Sequence, residues 1–180
     1  MMNTMIRNIK AFTLIELLIT MAILAVITTV VAGNFAGSTQ KGRDARRKSD
    51  LKQLQTALEA YMNDKGEYPT YEGGSSFFSY LDASGIPVSV DTGESFAIGN
   101  VVYMSKVPAD PNSSYTYLYV PDADTHPRAY QIFTHLENEK DKEYALSFET
   151  DVTDCQFGVS SSNISMDTPL VAGNRSCKKE

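Results

Sequence analysis

Histidine and cysteine are scarce in this chain of 180 residues, two of each, and their scarcity removes most site chemistry. His126 and His135 have no Gly-x-Ser-x-Gly elbow or His-Glu-x-x-His spacing to work with, so a catalytic constellation is not expected. Cys155 and Cys177 form no Cys-x-x-Cys pair and share no histidine spacing, which excludes a zinc site. Positive charge is also short, but only after residue 48. From there on nine Lys/Arg face twenty Asp/Glu, giving −11, whereas residues 1–48 carry +5 within an overall charge of −6. Basic residues are sparse around the strand-like segments, so no nucleic-acid platform is visible, and an acidic body disfavours that partner.

Charge of either sign is missing altogether from Leu17 to Gln40, and Leu17–Ala32 is apolar apart from threonines. About twenty helical residues cross the hydrocarbon core of a bilayer, so the run is long enough. It is too long for the core of a secretory signal peptide, and Glu16 lies at its start. A plain signal anchor fits the length but leaves Glu16 unexplained, since a buried charge there costs about 2.5–3.5 kcal/mol. The two cysteines, both in the polar last thirty residues, read as one disulfide closing a loop of about twenty residues, worth on the order of 3 kcal/mol. The competing reading is two free thiols in a cytosolic protein. A disulfide places the body outside the cytoplasm. Lys41, Arg43, Arg46, Arg47 and Lys48 follow the apolar run and argue the opposite topology by charge bias. The cysteines and the motif below outweigh that bias. The basic cluster is then expected to face headgroups, the acidic surfaces of neighbouring copies, or solvent.

Leu51, Leu54, Leu58, Tyr61 and Met62 recur at helical spacing among polar residues, which makes an apolar face for a sheet to cover. Asp64-Lys65-Gly66 ends that helix, and Pro69 forbids its continuation. A short helix is expected over Ser75–Leu81, then a loop with short strands at Phe96–Ile98 and Val101–Tyr103. Aromatic and β-branched runs at Tyr115–Val120 and Ala129–Leu136, followed by Glu143–Glu149, predict an antiparallel meander. Asp122-Ala-Asp124 hints at calcium, but the glycine and terminal glutamate of an EF-hand loop are absent. No metal or cofactor is expected.

The N-terminus carries more. A basic leader with Arg7 and Lys10 precedes Ala11, Phe12 and Thr-Leu-Ile-Glu16, then the long apolar helix. This order resembles the prepilin-type cleavage and methylation signal of type IV pilins and type II secretion pseudopilins, with Ala11 where that family usually has glycine. Gly66-Glu-Tyr-Pro69 is similar to the junction after the long helix in the same family. The resemblance implies cleavage between Ala11 and Phe12, N-methylation of Phe12, and a registry role for Glu16, which would meet the Phe12 amine of another subunit. Cleavage would leave 169 residues with a charge of −8. It further implies a prepilin peptidase, an assembly platform protein with a cytoplasmic ATPase, and other pilins as partners. The chain would sit in the cytoplasmic membrane with one span, then in a surface filament.

The expected fold is α+β: a long N-terminal helix, transmembrane and then amphipathic, packed on a small antiparallel sheet. The expected parts are a leader (1–11), the membrane and assembly half of the helix (12–36), and an extracytoplasmic pilin-like body (37–180). Within the body come helix 37–65, loop 66–106, meander 107–149 and a disulfide region 150–180. The tail disulfide resembles that of type IV pilins, which favours a pilus subunit. A secretion pseudopilin and a membrane-anchored binding protein that never polymerises are the alternatives.

Overall fold

A computed structural model describes residues 12–71, 76–82, 84–123, 125–144, 152–167, 170 and 175–179, and the side chains of these except 30–36. The chain divides into two compact units, Met1–Thr39 and Gln40–Glu180, and each is taken by itself. One helix, α1 (Leu14–Lys65), supplies regular structure to both.

In the first unit the described residues are helical from Leu14, and every described side chain is exposed. The threonines of the apolar run do not leave their hydroxyls unpaired. Thr20, Thr28 and Thr29 donate to the carbonyls of Leu17, Leu24 and Val26 at 2.9, 2.6 and 2.8 Å. Such back-bonding hides a polar group inside its own helix, as an apolar medium requires.

In the second unit α1 buries Asp44, Arg47, Asp50, Leu51, Leu54, Ala57, Leu58 and Tyr61. That three-and-four spacing is one face of a helix. The helix ends as the sequence predicts: Gly66 takes φ +77° and donates its N–H to the Met62 carbonyl at 2.8 Å. Tyr68 folds back so that its hydroxyl donates to Glu59 at 3.0 Å.

Among the described residues there are nine short strands, and Phe78, Tyr80, Val90, Phe96, Ile98, Tyr119, Tyr130 and Ile132 from five of them pack in one core with the helix face. β1 (Phe78–Leu81) pairs antiparallel with β2 (Pro87–Val90), and β3 (Phe96–Ile98) with β4 (Val101–Met104). β5 (Leu118–Pro121), β6 (Tyr130–Thr134) and β8 (Phe157–Ser160) form a three-stranded antiparallel sheet with β6 in the centre. β7 (Val152–Thr153) and β9 (Arg175–Ser176) pair in parallel. The architecture is α+β, a long helix with small, largely antiparallel sheets.

Two details differ from the sequence expectation. Residues 78–81 are a strand, not part of a short helix, because Phe77-Phe78-Ser79-Tyr80 is buried as a whole and its aromatic side chains suit a pleated surface. Ser75 lies outside the described residues. The strand expected over 143–149 lies, beyond Tyr144, outside the described residues as well. The strand that pairs with the free edge of β6 is instead β8, from the polar tail. All five residues of β6 are buried, which calls for a neighbour on either side.

Candidate functional site

The helix start is built by Thr13 and Glu16. Thr13 stands just before α1, and the Glu16 N–H donates to its hydroxyl at 3.3 Å. In return Oε2 of Glu16 accepts the Thr13 N–H at 3.0 Å and the Thr13 hydroxyl at 2.8 Å. This reciprocal pair is a capping box, Thr-x-x-Glu, which satisfies two donors that a helix start otherwise leaves unpaired. The Thr-x-x-Glu spacing of that box is a local signal present in the sequence. Oε1 of Glu16 takes no hydrogen bond among the described residues. Phe12 is 77% exposed; Ala11 lies outside the described residues. Among the described residues no helix is long and apolar enough to cross a membrane. The apolar run itself continues to Ala32, past the last described side chain at Thr29.

The body holds a second constellation, which sequence reasoning misread. Arg47 is fully buried, and its guanidinium is bound by three carboxylates. Nε and one terminal nitrogen donate to the two oxygens of Asp110, both at 2.8 Å. The other terminal nitrogen reaches Asp44 at 2.8 Å and Glu137 at 2.9 Å. Arg43 grips Glu137 through both carboxylate oxygens. Asp44 also accepts the N–H groups of Glu137 and Asn138, at 3.0 and 2.8 Å. Lys48 binds Asp141 at 2.6 Å and Glu143 at 2.7 Å. Of the Lys41–Lys48 cluster, Arg43, Arg47 and Lys48 are therefore engaged within the body. Arg43, Arg47 and Lys48 are turned inward onto the loops around residues 110 and 137–143, and Arg46 lies 3.7 Å from Asp50.

The electrostatics follow from that geometry. Burial alone would lower the Arg47 pKa, but hydrogen bonds and charge from Asp110, Glu137 and Asp44 outweigh it and hold the group above its ordinary range. Burial likewise opposes the charge on Lys48, and Asp141 and Glu143 outweigh it. Hydrogen bonds from Arg43 bring Glu137 down to about 2, against the effect of burial and with help from Arg47. These pairs fasten the helix to the loops.

The tail is fastened by covalent and polar links. Cys155 and Cys177 form a disulfide across 22 residues. Arg175 donates to the Tyr119 carbonyl at 2.7 Å and stacks over Tyr71. His135 lies flat on Tyr115 and bonds the Asp154 carbonyl. His126 pairs with Glu67 at 2.6 Å, while Asp124 lies outside the described residues. Asp122 spends a carboxylate oxygen on the Arg128 N–H. Among the described residues no three His, Cys, Asp or Glu side chains gather as metal ligands would.

Comparison with known proteins joins these parts. The family described as the prokaryotic N-terminal methylation motif matches residues 6–32. The type II secretion system core protein G of Aeromonas hydrophila is 31% identical over 106 residues, which cover 58% of this chain and 68% of that protein. The chain belongs to the pilin and pseudopilin family. This pilin-family chain is also 34% identical over 68 residues to the core protein G of Dickeya chrysanthemi, covering 38% of this chain and 44% of that protein. The type IV major pilin protein of Myxococcus xanthus is 29% identical over 68 residues, 38% of this chain and 31% of the relative. The pilin-family match thus spans between 31% and 68% of the length of these relatives. No solved structure gives a significant match.

Proposed function

We propose that this chain is a structural subunit, not an enzyme, that polymerises into a type IV pilus on the cell surface. The observation that carries the proposal is the helix start. The apolar start of α1, exposed at every described side chain, opens with one carboxylate, and one oxygen of that carboxylate takes no bond among the described residues. Cleavage between Ala11 and Phe12 by a prepilin peptidase would leave an amine at Phe12, which is then methylated. The capping box lies wholly downstream of that cut, so it survives processing. Oε2 of Glu16 holds the helix start, and Oε1 is available to the Phe12 ammonium of a neighbouring subunit. Each charge alone is costly in an apolar medium and each offsets the other, so the pair sets register between subunits.

In this reading Leu17–Ala32 anchors the subunit as a single span in the cytoplasmic membrane before assembly, with residues 37–180 outside. An assembly platform protein with a cytoplasmic ATPase then lifts it into the filament alongside other pilins. The disulfide, at home in an oxidising compartment, supports an external body and resembles the tail of type IV pilins. A second reading, a type II secretion pseudopilin, is favoured by the similarity to core protein G. Deletion of the gene separates the two. Loss of surface fibres with secretion intact is the expected outcome, and loss of protein secretion with fibres unchanged would overturn the pilus reading.

A further inference from the structure

The body contains a cavity of about 180 Å³ at the end of α1, room for several waters or a small organic group. Tyr61, Tyr68 and Tyr80 are among its walls, together with Glu67, Thr125 and His126. The His126 side chain is 78% exposed there.

Six tyrosines are buried in this body, and five of them have a partner for the hydroxyl. Tyr68 and Tyr130 use Glu59, Tyr80 the Ala97 carbonyl, Tyr117 Asp50, and Tyr119 the Pro69 carbonyl. Tyr61 is the exception: it is 3% exposed, and its hydroxyl has no hydrogen-bond partner among the described residues. A buried polar group left unpaired is costly and calls for a ligand or water. Its ring meets Tyr103 edge-on and packs tilted against Phe96. Burial first, and the Glu67 charge second, push its pKa up to about 12.

Tyr68, Thr70 and Tyr80 have already donated their hydroxyl protons to Glu59 and to the Ser79 and Ala97 carbonyls. Glu67 uses Oε2 on His126 and has no bond on Oε1 among the described residues. None of the described lining residues is Lys or Arg. Glu67, with no Lys or Arg beside it and with His126 already on Oε2, disfavours a second anion. An ammonium supplies three donors and no acceptor, and the tyrosine rings favour a cation over them.

We infer that this cavity binds a primary ammonium group on a short alkyl stem, held between the Glu67 carboxylate and the Tyr61 hydroxyl. The inference is independent of polymerisation. The ammonium comes from a free amine or from a lysine side chain of another protein, and the test distinguishes these.

The full chain, in detergent micelles and carrying tyrosine labelled at Cζ, is titrated with n-butylammonium chloride and followed by carbon NMR. The Tyr61 signal is assigned by its loss in Tyr61→Phe, and the His126 ring protons, told from those of His135 by their loss in His126→Gln, report binding beside Glu67 in proton spectra of the otherwise wild-type chain. A saturable shift with n-butylammonium is expected, with no such shift for n-pentanol or butyrate, and Glu67→Gln should weaken it by about tenfold or more. The tripeptide acetyl-Gly-Lys-Gly-amide producing the same shift assigns the site to lysines; its failure beside a positive butylammonium result assigns it to free amines. No saturable shift in the folded wild-type chain, equal binding of n-pentanol, or undiminished binding to folded Glu67→Gln would each overturn the inference.

Discussion

Arg47 is the residue on which the body's electrostatics turn. Three carboxylates converge on one buried guanidinium, and two of them, Asp110 and Glu137, come from loops far along the chain. Removing the cation leaves those carboxylates facing each other without compensation. Arg47→Met is therefore expected to cost about 3–5 kcal/mol of stability, measured by denaturant unfolding of the body. The basic run itself was legible in the sequence, but its partners were not. Arg47 and Asp110 are 63 positions apart, and Arg43 and Glu137 are 94 apart. No local pattern announces such pairs, so a structural cluster reads as a free basic face.

The same cluster makes stability depend on pH with a definite sign. Glu137 titrates near 2 in the folded protein, against an ordinary 4.5. The folded state thus binds this proton less readily than the unfolded chain. The stability that Glu137 contributes is fully present above about 4.5 and is lost as pH falls toward 2. Asp50, raised by burial despite its bond from Tyr117, works in the opposite direction. The comparison must therefore be made against Glu137→Gln. Thermal midpoints between pH 5 and pH 2 are expected to fall more steeply in the wild type than in that variant.

Among the elements, the central sheet depends on a glycine. A Cβ at position 158 would stand 2.9 Å from the Ile132 carbonyl oxygen and 3.1 Å from the Phe133 ring, with the Met166 side chain closer still. Met166 can swing aside, but the backbone oxygen of β6 cannot. Gly158→Ala is expected to destabilise by about 1–3 kcal/mol, and faster amide exchange in β6 and β8 would check it. This strand was illegible in advance, since Phe157-Gly-Val-Ser is short, holds a glycine and lies in a polar tail. Its role follows from the demand of β6 for a second neighbour. By contrast α1 was legible over its whole amphipathic half, because its apolar period and its Gly66 stop are local signals. Residues 78–81 were misread for the reverse reason. Four residues are too few to show a period, and their burial is decided by Tyr61 and Phe96 packing from elsewhere.

On the scale of the whole molecule, the capping that Glu16 performs and the registry role proposed for it can be separated by one substitution. Glutamine still accepts the Thr13 N–H, so Glu16→Gln keeps the capping box and removes only the charge. Membrane insertion of the subunit should be unchanged while filament formation is lost, as followed by fractionation and by electron microscopy of sheared fibres. Normal filaments from Glu16→Gln would mean that the cap, not the charge, is what Glu16 is for. Here the candidate site was legible as a motif, Phe12-Thr-Leu-Ile-Glu16 before an apolar run, and the structure adds how the carboxylate divides its two oxygens.

Mass spectrometry of the N-terminus of the protein taken from its native membrane bears most directly on this account. Polymerisation through Glu16 needs an amine at Phe12, and only processing after Ala11 creates it. The account predicts a chain of 169 residues beginning with N-methylated Phe12. A native chain still carrying the sequence ahead of Phe12 would contradict it.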